Sequence, residues 1–143
     1  MPEKNAVGKT FDPPKWMGVL YLLTGAAICL LAVDVIPSPE SSFHAPRSVL
    51  FLAGLVFLSC SGVVFTYGNQ RALHGFIAIM TGCLGAIGLW VAVFGNAENF
   101  SSNVPIDSPI FQVSLGRIFF AIGGTLCCVL SLVLAARALW PRR

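Results

Sequence analysis

Four stretches of this chain run for about the thickness of a lipid bilayer with almost no charge in them, and that leaves few folds open. A helix rises about 1.5 Å per residue, so crossing a hydrocarbon core of about 30 Å takes roughly 20 mostly apolar residues. Residues 16–36, 48–67, 73–94 and 118–139 each meet that length. Between 16 and 33, 48 and 70, 75 and 97, and 118 and 136 there is no Asp, Glu, Lys, Arg or His. Inside lipid every backbone N–H and C=O must be paired within the protein, which favours helices for stretches of this length. The expectation is an all-α integral membrane protein: a single domain over 1–143, with four transmembrane helices in a bundle. Only 10% of the residues are charged, against about 25% in a soluble domain, so no room is left for a separate soluble domain.

The first apolar stretch follows a charged N-terminus, as a signal peptide would. Its length exceeds the roughly 7–15 apolar residues of such a segment. The chain then continues Asp34-Val-Ile-Pro with no small-residue cleavage site. It reads as an uncleaved span.

Orientation follows from where Lys and Arg fall in the flanks and short loops, since cytoplasmic segments carry the excess. One side holds Lys4, Lys9, Lys15, Arg71, Arg137, Arg142 and Arg143, and the other only Arg47 and Arg117. Both termini are therefore expected in the cytoplasm. The formal net charge of +3 then reflects topology, and the basic ends are too small a surface for a nucleic-acid partner.

The spans echo one another. GVLYLLTG at 18–25 returns as GFIAIMTG at 75–82. At an offset of 70, Ser38-Pro39, Arg47, Gly54, Ser61 and Val63 match Ser108-Pro109, Arg117, Gly124, Ser131 and Val133. The pattern predicts two duplicated helical hairpins, about 16–67 and 73–139. Two-span halves share one orientation, so a pseudo-two-fold along the membrane normal would relate them. In lipid, helices associate where small residues let backbones approach. Gly25, Gly54, Gly82 and Gly124 are the expected packing positions, with Thr24 and Thr81 bonding to the backbone or across the seam. Ser38-Pro39 and Ser108-Pro109 read as an N-cap followed by proline at the first helical position. Pro46 marks another start, and the segment 68–71 reads as a tight turn.

Chemistry is hard to place on this chain. A proton- or sodium-coupled transporter needs an ionisable group near the midplane, and none is present. Asp34, about 27 Å along from Trp16 at 1.5 Å per residue, belongs at the outer interface. His44 and His74 fall on opposite sides of the membrane, which excludes a shared haem or a two-His metal site. The five cysteines, Cys29, Cys60, Cys83, Cys127 and Cys128, all lie in spans without metal-ligand spacing and read as small apolar residues. A Ser-His-Asp set would have to come from Ser41, Ser42 or Ser101 with His44 and Asp107, without a nucleophile-elbow pattern. No catalytic, cofactor or metal site is expected.

Arg47 and Arg117 stand out. Each is expected to open a helix, where the macrodipole disfavours a cation, on the side that positive charge avoids. Asp34, Glu40, Glu98 and Asp107 are the candidate partners, and lipid phosphates or a partner's carboxylate the functional alternatives. Asp34, Arg47 and Arg117 are therefore the outer-interface charges of interest. The connection 96–116 carries Val104, Ile106, Ile110, Phe111, Val113 and Leu115 and is the candidate contact surface. Asn99-Phe100-Ser101 is a glycosylation sequon on the same side.

The stretch Ala45-Pro46-Arg47-Ser48-Val49, followed by Ala53-Gly54-Leu55-Val56-Phe57, resembles uncharacterised small four-span inner-membrane proteins of bacteria. The likeness covers one span; it implies a bacterial inner membrane and no activity. The reading that fits best is a non-enzymatic accessory or assembly subunit of a larger membrane complex. Its partners would be the bilayer and a membrane protein or a second copy. The alternative is a passive channel or carrier for a small neutral or lipidic substrate.

Overall fold

The computed structural model describes residues 13–36, 46–95 and 109–140, with the side chains of the last helix from 115 onward. Four helices form in chain order: α1 (Lys15–Ala32), α2 (Arg47–Phe65), α3 (Gln70–Phe94) and α4 (Pro109–Leu139). All four are long and apolar enough to cross a membrane. The cap expected at Ser38-Pro39, His44, the sequon at Asn99, and Glu40, Glu98 and Asp107 lie outside the described residues.

Local sequence sets the ends. Pro14 and Pro46 hold extended backbone directly before α1 and α2, because proline favours the first turn but cannot continue a helix from inside it. Pro109 is the first residue of α4, where a missing N–H costs nothing. The Asn69 side chain accepts from the Ala72 N–H at 3.3 Å and caps α3. Between α2 and α3 the chain turns at Gly68, whose φ of +102° suits a residue without a side chain.

The end of α1 is less ordinary. The Val35 N–H reaches the Leu30 carbonyl at 3.1 Å and the Asp34 N–H reaches Leu31 at 3.3 Å. That is the Schellman pair of bonds, which places its fifth residue in left-handed backbone. The residue there is Asp34, with φ +61°, where glycine is the common choice. Aspartate tolerates this conformation better than most residues.

The helices pack serially. Each touches the helix beside it in sequence: α1 against α2, α2 against α3, α3 against α4. Among the described residues α1 makes no contact with α3 or α4, and α2 makes none with α4. The bundle expected from sequence is therefore a row with two free edges. Burial is correspondingly slight. Among the described residues Ala32, Ala78 and Cys83 are the buried apolar side chains, while Leu23, Phe119, Leu126 and Leu132 are more than half exposed.

The longest helix overturns one expectation. With α4 beginning at Pro109, Arg117 lies eight residues inside a helix and does not open one. Residues 109–116, expected as part of a surface connection, are helical and form its first two turns. The hydropathy pattern placed the start of the span at 118, and the helix begins nine residues earlier, at Pro109, about 13.5 Å away at 1.5 Å per residue.

Candidate functional site

Three arginines show what this sequence does with its few charges. Arg47 is the first residue of α2 and forms an ion pair with Asp34, just past the end of α1. Each charge is at the wrong end of its own helix: an acid near a C-terminus, a cation at an N-terminus. Helix dipoles favour the reverse. Because α1 and α2 run antiparallel, each charge is also beside the favourable end of its neighbour. The pairing resolves both conflicts at once. Both side chains remain about half exposed, at 52% and 44%.

The other two follow the same rule. Arg71, in the first turn of α3, donates from Nε to the Ala138 carbonyl at 2.8 Å and from Nη2 to Leu139 at 3.5 Å. These are carbonyls of the last turn of α4, which have no partner within their own helix. Arg117 donates from Nη2 to the Gly95 carbonyl at 3.0 Å, just beyond the end of α3. All three guanidiniums thus reach across to the C-terminal end of an antiparallel neighbour. Arg117 needs no compensation for its own dipole, because the effect fades within the first turn.

Below these clamps the seams are built from glycine. A Cβ added at Gly25 would lie 2.8 Å from the Leu58 nitrogen and 2.9 Å from the Gly54 oxygen. One added at Gly54 would lie 3.1 Å from both the Cys29 nitrogen and the Gly25 oxygen. The two backbones therefore touch, as close helix packing in lipid requires. The α3·α4 seam repeats the arrangement. A Cβ at Gly85 would meet the Gly124 oxygen at 2.9 Å, and one at Gly124 would meet the Gly85 oxygen and Leu89 nitrogen, each at 2.9 Å.

Gly54 and Gly124, 70 residues apart in the chain, thus occupy like places on the second helix of each hairpin. The counterpart of Gly25 is Gly85 and not Gly82, the residue that the Thr-Gly echo selects. Gly82 faces α4 one turn away, where an added Cβ would lie 2.9 Å from Ser131 Oγ. That hydroxyl crosses the seam to the Ala78 carbonyl at 2.7 Å. The two threonines part ways. Thr81 is buried and returns its hydroxyl to the carbonyls of Ile77, at 2.8 Å, and Ala78, at 3.1 Å. Thr24 is exposed and stands off the seam.

Gly85 and the stacking of Phe65 on Gly18 and Phe76 on Gly62 were missed from sequence. Four-residue spacing of small residues was the available signal, and on α3 it selects Ala78, Gly82 and Ala86, while Gly85 is followed at that spacing by Leu89.

Reactive groups remain scattered. The five cysteines are free, and Cys60 donates to Met80 Sδ at 3.5 Å across α2·α3. His74 bonds through Nδ1 to the Gln70 carbonyl of its own helix. Among the described residues no three His, Cys, Asp or Glu side chains converge as a metal site would require. The arrangement can hold helices together and present cations at helix ends. Comparison with family models, curated proteins and solved structures returns no match.

Proposed function

We propose that this chain is a non-enzymatic integral membrane protein that serves as an accessory or assembly subunit of a larger membrane complex, in a bacterial inner membrane. The observation that carries the reading is the uncovered apolar surface of the row, largest on α4, which is almost entirely unburied. Gly123 on that helix meets nothing within 4 Å, so another helix can approach its backbone there. The charges support the same reading, because the ion pair and carbonyl contacts engage the three arginines in holding helix ends. Both termini are placed in the cytoplasm on the sequence distribution of Lys and Arg.

The hairpins are read as a duplication, supported by the recurrence of glycine on glycine in α1·α2 and α3·α4. The offset of 57 between α1 and α3 is the weaker half of that pattern, since Gly25 is matched in place by Gly85.

The test is purification in mild detergent followed by mass spectrometry of co-purifying proteins. A stoichiometric membrane protein supports the subunit reading. Isolation of the chain by itself, together with solute or lipid flux in liposomes containing it as sole protein, would replace that reading with a passive channel or carrier.

A further inference from the structure

The three seams of the row are of two kinds, and the difference has a mechanical meaning. In α1·α2 and α3·α4 backbone lies on backbone. At Gly25, Gly54, Gly85 and Gly124 an added Cβ would collide with main-chain atoms of the facing helix at 2.8–3.1 Å. Main chain cannot rotate away as a side chain does, so such a contact fixes spacing and register together. Polar bonds also join the helices of each hairpin. Arg47 pairs with Asp34 at one end of the first hairpin. In the second, Arg71 holds one end and Arg117 the other, with the Ser131 bond to Ala78 between them.

The middle seam is built otherwise. The contact of α2 with α3 is the smallest of the three. Here the Phe76 ring stands on Gly62, and Cys60 meets Met80 sulfur to sulfur at 3.5 Å. A ring, a thiol and a thioether are side-chain contacts that slide and re-form, the thioether being the most adaptable of apolar groups. Both contacts lie in the half of the seam next to the turn at 66–69. That turn holds Gly68 in left-handed backbone, and a Cβ added there would meet nothing within 4 Å, so the turn has room to change direction without a clash.

We propose that the chain is two rigid hairpins, α1–α2 and α3–α4, joined by a hinge at the 66–69 turn, and that the α2·α3 seam opens at its far end. Hinges are a few loop residues that take up backbone rotation between bodies whose own packing is kept, and these two hairpins meet that description. The inference stands independently of the subunit reading.

The test measures distances between pairs of spin labels, carried on non-canonical residues at exposed positions, in the full chain in lipid nanodiscs. The pair at 16 and 51 lies within the first hairpin, 94 and 139 within the second, and 35 and 119 across the two. Expected are single narrow distributions for the first two pairs and a broad or two-peaked one for the third. Met80→Cys then allows a disulfide with Cys60, whose sulfur already faces that position. Closing it should narrow the 35–119 distribution and leave the other two unchanged. A 35–119 distribution as narrow as the others before the disulfide forms would overturn the proposal. So would one that the closed disulfide leaves unaltered.

Discussion

Gly123 and Gly124 are adjacent on one helix, at one depth, and only the second faces another helix. Replacing each by alanine isolates packing from every other effect. Alanine is favoured over glycine in a helix by about 0.8–1 kcal/mol, a gain that both variants share. At Gly123 nothing lies within 4 Å of the new methyl, so that gain stands alone. At Gly124 the methyl would lie 2.9 Å from the Gly85 oxygen, 2.9 Å from the Leu89 nitrogen and 3.0 Å from Leu89 Cγ. Two of the three are main chain, so relief requires α3 and α4 to move apart. Overpacking of this kind costs about 1–3 kcal/mol. The shared propensity cancels in the difference, so Gly124→Ala should be less stable than Gly123→Ala by about 1–3 kcal/mol. Reversible unfolding in mixed micelles with rising dodecyl sulfate, followed by circular dichroism, reads that difference. Equal stability of the two variants would refute the backbone contact at Gly124.

Two further predictions concern charge. Asp34→Asn keeps a residue that tolerates left-handed backbone and removes only the charge, so with Arg47→Gln it forms a clean cycle. Each single change should lower stability in detergent, and the double mutant should recover part of the loss. The coupling should be no more than about 1 kcal/mol for a pair this exposed and should shrink as salt screens it; strict additivity would mean that the two do not interact. For topology, a cysteine placed at position 102 of a cysteine-free variant should react with an impermeant maleimide in intact cells. Reaction only after permeabilisation would invert the orientation inferred from Lys and Arg.

Much of the fold can be read from the sequence because hydropathy over 20 residues is a strong signal and prolines mark helix starts. Pro46 before Arg47 was visible in advance; Pro109 was read as a first helical position, but of the outer connection and not of α4. The pairing of helices was not. A helix apolar all round has no inward stripe to read, so nothing in the sequence distinguished a closed bundle from a row. The same cause hid Gly85. Residues 82, 85, 86 and 89 share one face of α3, and only the register against α4 decides which of them meets Gly124. Arg117 was misplaced for another reason. A charge ends an apolar window without ending a helix, and α4 continues through residues less apolar than those of its core. Asp34 with Arg47 could be foreseen from two opposed charges at the mouth of one hairpin. The left-handed backbone at Asp34 could not, because aspartate carries no such mark.

Serial packing also has a consequence for how the chain is made. Among the described residues every helix contact joins sequence neighbours, so α1 and α2 can settle against each other while α3 and α4 have yet to be synthesised. No helix waits for one beyond its neighbour in the chain. Such nearest-neighbour packing spares the chain its longest closures. It also suits a chain that leaves the ribosome N-terminus first and enters the membrane one hairpin at a time.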